Sequence, residues 1–421
     1  MRILLLSLLV CFLFSCETKQ TLKPGLWRGQ IDVQGQTLAM NFEVLRHADQ
    51  YQVNLINMDE KILLDEIEMK GDSVIFFMHI FDTEIHARIN GEMLTGYYTK
   101  NYEVDFKLPF TATYGQQHRY AAPAKSASVD YSGRYAVEFY HEGDTTVAVA
   151  IFNQQGNEVT GTFLTPTGDY RYLQGNVVDD QLLLSTFDGN HAFVFKAFKQ
   201  GDNLQGDFWN GNVWHETWTA SKDENAMLPD EDKLTFLKAG YDKIDFQFPD
   251  LNGEPVSPAD ERFRNKVLIL QIFGTWCPNC MDETKFLADW YKKNHSRGVE
   301  ILGLAYEAKD DFIYASGRVK KMKAKLDVPY DFVIAGNKDK VEAGKTLPML
   351  NHILSFPTTI FIGKDGLVKR IHTGFTGPGT GVYYEQFIQS FNETVNTLLA
   401  EDTALSKMTS SAKSTDGIVH Q

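Results

Sequence analysis

The run 266–273 sets Val267, Leu268, Ile269, Leu270, Ile272 and Phe273 around a single Gln271, then leads into Trp276-Cys277-Pro278-Asn279-Cys280. A run this continuously apolar suits a strand buried on both faces, which needs helices packed above and below it. The period then changes, because Leu287, Trp290 and Tyr291 share one face of a helix over 281–294. A Cys-x-x-Cys pair at such a strand-to-helix junction constrains chemistry as well as fold. Cys277 stands at the open end of a helix, where unpaired backbone N–H groups and the helix dipole favour a thiolate. Cys280 follows about one turn on, near enough to close a disulfide and expel a bound substrate. Trp276 adds a flat apolar surface beside the reactive sulfur.

The other two of the four cysteines, Cys11 and Cys16, fall in a segment that reads as an export signal. Arg2 supplies the positive start, and 3–14 is apolar except for Ser7. That stretch is too short to span a bilayer, which takes about 20 residues. It ends in Leu13-Phe14-Ser15-Cys16, which resembles the bacterial lipobox and implies a signal peptide over 1–16 and a lipid-modified Cys16; the alternative is an ordinary secretory signal cut a few residues later. The expected location is the bacterial cell envelope, facing the periplasm on a lipid anchor. Beyond the signal only Cys277 and Cys280 remain, and a lone pair in an exported protein points to chemistry more than to a structural staple. A formal net charge of -14 with no basic stripe argues against nucleic acid as a partner.

The roughly 405 residues after Cys16 exceed one hydrophobic core. Residues 25–120 show short alternating runs between polar turns, such as Leu38 to Val44 and Tyr51 to Leu55, the pattern of a β-rich sandwich or barrel domain. Residues 129–222 repeat it. Gly25-Leu26-Trp27 answers Gly133-Arg134-Tyr135, Ile80-Phe81-Asp82 answers Thr186-Phe187-Asp188, and Leu94-Thr95-Gly96 answers Leu204-Gln205-Gly206, at offsets of 106 to 110 residues. A period this long means duplicated domains, since solenoid repeats run about 20–50 residues. The Ala- and Ser-rich stretch 121–128 serves as linker. Trp209, Trp214 and Trp218 are read as packing residues of the second block.

Residues 240–400 alternate strands and helices. A second buried strand is expected over 299–305, and a helix over 312–326 with Lys320, Lys321, Lys323 and Lys325 facing solvent. A hairpin over 358–362 and 367–372 turns at Gly363-Lys364-Asp365-Gly366, and Phe387, Phe391, Val395 and Leu398 mark a closing helix. The tail 401–421 is polar and expected to be disordered. The fold class is therefore multidomain, two β-rich domains followed by an α/β domain.

That order of elements, with Trp-Cys-Pro-Asn-Cys at the junction and Phe356-Pro357-Thr358 before the late hairpin, resembles the thioredoxin fold. The opening Phe248-Pro249-Asp250-Leu251-Asn252-Gly253 and Glu283, three residues after Cys280, are similar to the exported TlpA/ResA-like branch. The whole arrangement looks like TlpA-family lipoproteins of the Bacteroidetes type with N-terminal β domains. The resemblance implies Cys277 as nucleophile, Cys280 as resolving thiol, and Pro357 as a cis-proline facing the disulfide. Pro357, Phe356 and Trp276 would then contact an extended substrate. It also implies no cofactor beyond the redox-active disulfide, disulfide-containing proteins as substrates, and a membrane thiol carrier as electron donor. Two departures stand out. Thioredoxin carries a buried aspartate where this chain has Gln271; Glu283 is the proton-transfer candidate, with charge compensation at the helix N-terminus as its alternative role. The dipeptide between the cysteines is Pro278-Asn279, whereas the branch usually places proline second.

Other readings fit less well. A peroxiredoxin-type peroxidase would need a proline and a threonine where Leu270 and Gly274 stand. A zinc site would need a second Cys/His pair, and none has suitable spacing, so no metal is expected. The alternative from a different class is an envelope binding lipoprotein whose β domains hold a glycan or a protein partner. The glycine-rich stretch 374–381 lacks the Gly-Lys-Ser/Thr ending of a phosphate loop.

Overall fold

The computed structural model describes residues 20–415, with side chains through Glu401; the export segment, Cys11 and Cys16 lie outside the described residues. The first block is a meander of nine antiparallel strands, from Gly25–Val33 to Lys107–Tyr114, in which the ninth pairs back onto the first. Its opening hairpin turns at Gln34 and Gly35, both at positive φ (57° and 80°), the twist that suits a two-residue connection between strands. The sheet curls round a core that includes Trp27, Phe42, Phe76 and Phe110.

The second block, from Gly133–His141 to Trp214–Lys222, follows the same strand order. It closes where Glu158–Thr165 pairs with both Asp144–Gln155 and Leu173–Val178. The corresponding seam of the first block stays open, with Glu60–Leu64 and Ile67–Lys70 as its two edges. Barrel closure removes edges, and aromatic rings fill the closed one: Phe163 stacks on Phe195 at 4.8 Å and Phe195 on Phe208 at 4.4 Å, with Trp218 buried beside them. The tryptophans divide, because Trp214 is 41% exposed and stacks on His141 while Trp209 is half-buried against the larger core.

The third block is a five-stranded sheet in the order Asp331–Asn337, Val299–Glu307, Val267–Phe273, Thr358–Ile362, Val368–Thr373. The first three strands are parallel, the fourth runs antiparallel to them, and the fifth, antiparallel to the fourth, shares their direction. Val267–Phe273 is central, and all seven of its residues are buried. Around it pack α1 (Pro278–Asn294), α2 (Phe312–Lys325), α3 (Lys340–Thr346) and α4 (Val382–Thr415), completing a thioredoxin fold.

Two expectations are corrected. The helix α4 does not stop near residue 400 but runs on to Thr415, through a segment that includes the good helix formers Ala404, Leu405, Lys407 and Met408; residues 416–421 lie outside the described residues. The lysines of α2 do not simply face water. Lys321 pairs with Glu66 at 2.8 Å, Lys325 with Asp65 and Glu66, and Lys323 with Asp331, leaving Lys320 exposed. Tyr314 adds a 2.9 Å hydrogen bond to Asp82, so α2 is the face on which the first β block docks.

Candidate active site

Cys277 is the N-cap of α1, in extended backbone (φ -100°, ψ 111°), and Pro278 occupies the first turn, where a missing N–H does no harm. The backbone N–H of Cys280 donates to the Cys277 Sγ at 3.2 Å. A sulfur that receives a helix-terminal N–H is stabilised as the thiolate. Here the two cysteines form a disulfide, with Cα atoms 5.2 Å apart.

The Phe356 carbonyl oxygen lies 3.4 Å from the Cys277 Sγ, and the Phe356–Pro357 bond is cis. The Trp276 ring meets Phe356 edge-on at 5.5 Å, and its Nε1–H donates to the Tyr306 carbonyl at 2.8 Å. Trp276, Cys277, Cys280, Phe356 and Pro357 thus stand together, although 80 residues separate the Cys277 and Pro357 positions (357 − 277). Loop 374–381 borders them, since Gly374 N donates to the Pro357 carbonyl at 2.9 Å.

Glu283 lies one turn beyond Cys280 on α1 and is wholly buried. Its carboxylate accepts from Thr359 Oγ1 at 2.6 Å and from Gln271 Nε2 at 2.9 Å. Gln271, in place of an acid, therefore orients one. Burial pushes the Glu283 carboxyl up to about 7, and those two hydrogen bonds offset only part of the rise. Glu307, which accepts from the Thr275 N–H and hydroxyl, is likewise pushed up to about 7 by burial.

A carboxyl raised on folding holds a proton that the unfolded chain has already released. Stability should therefore fall as pH rises from the ordinary glutamate value of 4.5 to about 7, and stay lower above it. Glu283→Gln should flatten that loss without abolishing it, since Glu307 contributes with the same sign. Urea unfolding at about pH 5 and about pH 8 reads the effect. Parallel losses in variant and wild type would remove Glu283 from the account.

The second barrel reaches into this site, which the sequence patterns did not foretell. Asn279 Nδ2 donates to the Asp169 carbonyl at 3.0 Å, Ser355 Oγ to the Thr167 carbonyl at 2.7 Å, and Asn190 Nδ2 to the Trp276 carbonyl at 2.7 Å. Cys277 is consequently only 5% exposed and Cys280 fully buried. Arg171 sits at the junction of all three blocks. It pairs with Glu60 of the first, with Asp188 of the second at 3.3 Å, and with Asp282 of α1. Burial alone would weaken its charge, but the carboxylates of Asp282, Glu60 and Asp188 outweigh it and raise the guanidinium pKa. In the sequence, Asp169 and Arg171 look like ordinary turn charges between strands, and no local signal separates them from the rest.

Comparison with known proteins adds to this geometry. Residues 238–384 match the redoxin family. The thiol:disulfide interchange protein DsbE of Vibrio cholerae serotype O1 is 33% identical over 152 residues, covering 36% of this chain and 73% of that protein. The thiol-disulfide oxidoreductase ResA of Geobacillus thermodenitrificans is 30% identical over 141 residues, covering 33% of this chain and 72% of its own. Among solved structures, a thioredoxin-family thiol:disulfide interchange protein of Chlorobium tepidum aligns with 38% of this chain and 95% of its own at 21% identity, with a TM-score of 0.29.

Proposed function

The chain belongs to the TlpA/ResA-like family of thioredoxin-fold thiol-disulfide oxidoreductases, and on that footing we propose that it reduces protein disulfides in the cell envelope through the Cys277–Cys280 dithiol. The observation that carries the reading is the Cys277–Cys280 pair at the N-terminus of α1, with one sulfur receiving a helix N–H. In the reduced chain the Cys277 thiolate attacks one sulfur of a substrate disulfide, and the other leaves as a thiolate. Cys280, deprotonated, then attacks the Cys277 Sγ and expels the second substrate thiolate. Two electrons pass to the substrate and the chain is left as the disulfide. A helix-start cysteine in such a motif commonly ionises at about 3.5–7.5, against about 8.5 for a free thiol.

In this proposal Glu283 relays the Cys280 proton, and Trp276, Phe356 and Pro357 form the substrate-contacting surface. No cofactor beyond the disulfide takes part. Electrons come from a membrane thiol carrier, and the lipid on Cys16 holds the protein at the periplasmic side. Direction is set by redox poise. Equilibration of the Cys277–Cys280 pair in glutathione buffers is expected to give a potential close to thioredoxin's, about -270 mV. A value near about -120 mV would reverse the assignment to disulfide formation.

A further inference from the structure

In the second barrel, the strand Glu158–Thr165 turns through Pro166 and Thr167 into the two-residue strand Gly168–Asp169. This hairpin ends against the redox loop. Its Thr167 carbonyl takes the Ser355 hydroxyl, one residue before Phe356, and its Asp169 carbonyl takes the Asn279 amide inside the Cys-x-x-Cys motif. The Asp169 carboxylate accepts from Gly377 N at 2.7 Å, closing the third side. Gly168 sits at φ 139°, and a Cβ there would stand 2.9 Å from Asn279 Nδ2 and 3.4 Å from the Phe375 carbonyl oxygen. At that φ a side chain is strained, and a Cβ would have to displace the Asn279 amide.

The hairpin therefore lies across the face where Cys277 must meet its substrate. What it leaves open is a cavity of about 240 Å³ whose wall includes Thr165, Tyr170, His191, Phe193, Trp276 and Cys277. The S–S bond of a low-molecular-weight disulfide can enter such an opening while the rest of the molecule stays in solvent. A disulfide in a folded protein arrives with chain on both sides, and that chain would overlap the hairpin and loop 374–381.

We propose that the hairpin 165–169 is a gate that sorts disulfides by size: closed, it admits small disulfides to Cys277, and a protein disulfide reacts only once the hairpin has been displaced. The inference rests on the oxidoreductase reading above and assigns the second barrel a part in it. The exchange is unchanged in either state. One substrate sulfur bonds to Cys277, the other leaves, and Cys280 releases the first as it closes the Cys277–Cys280 bond. Hydrogen bonds from Ser355, Asn279 and Gly377 hold the hairpin to the redox domain, each of modest net strength, the one to the Asp169 carboxylate being the strongest.

The test uses the full chain, reduced and freed of reductant, in single turnovers against glutathione disulfide and against insulin. Wild type should reduce glutathione disulfide readily and insulin slowly. Gly168→Ala, strained at φ 139° and crowding the Asn279 amide, should raise the insulin-to-glutathione rate ratio about 5–30-fold, the effect of a modest shift in a closed–open equilibrium. A ratio unchanged in a variant that unfolds like wild type would overturn the gate. Should the variant not fold, alkylation of reduced wild type decides. N-ethylmaleimide should modify Cys277 much faster than a maleimide carried on a folded protein, each rate taken relative to free cysteine, and equal relative rates would overturn the gate. If wild type reduces neither disulfide, the underlying oxidoreductase reading falls and takes the gate with it, which separates that failure from one of gating alone.

Discussion

Cys277→Ser is expected to lower disulfide exchange by at least about a thousandfold, as loss of a covalent nucleophile does elsewhere. The reason lies in the site's geometry. The Cys280 N–H and the end of α1 stabilise an anion on the residue at 277, and a serine hydroxyl stays neutral there at any physiological pH. Cys280→Ser should behave differently. Attack by Cys277 still occurs, but nothing resolves the product, so a stable mixed disulfide with the substrate should accumulate, visible by mass spectrometry and reversed by added reductant. A chain that chiefly binds a glycan or a protein partner through its β domains would keep its function in Cys277→Ser. Retention of full activity in that variant would sink the dithiol mechanism.

Arg171→Met is expected to destabilise the protein by about 3–5 kcal/mol, the range for removing one partner from a buried ionic group. The guanidinium is 4% exposed and faces Glu60, Asp188 and Asp282, each from a different block. Without it, three carboxylates would converge, offset among the described residues by Lys285, 3.4 Å from Asp282, and by His191, 2.9 Å from Asp188, when protonated. Glu60 is already raised by burial, with Arg171 opposing the rise, so losing the cation would push it up further. Urea unfolding measures the loss. Adding Glu60→Gln and Asp282→Asn to Arg171→Met should restore part of it, because neighbouring charges do not act additively. A loss below about 1 kcal/mol would mean that water reaches the cluster and that Arg171 does not tie the blocks together.

Much of the third block was legible because its signals are short-range. Val267 to Phe273 reads as a two-faced strand from composition alone, and it is buried throughout. The hairpin after Pro357 is marked by its glycines, and the pairing of Thr358–Ile362 with Val368–Thr373 follows that turn. The similar order of the β blocks was visible from Gly25 against Gly133. That one sheet closes and the other stays open was not, because closure depends on whether Asp144–Gln155 and Glu158–Thr165 meet edge to edge, and alternation looks the same in both cases. The lysines of α2 misled for a similar reason. A charged helix face has one pattern whether it meets water or the acidic pair Asp65 and Glu66.

The sequence by itself determined the chemistry. Two thiols one helical turn apart, a proline at the helix start and a glutamate on the next turn are local relations that any folded form must keep. Only the tertiary structure decided who reaches those thiols. Asp169 and Asn279 are 110 residues apart, and Arg171 and Glu60 are 111. Their contact depends on how the three blocks pack, which involves long-range burial and charge pairing rather than propensity or period. The reactive disulfide was therefore readable from five residues, while its cover came into view only once the second barrel lay against it.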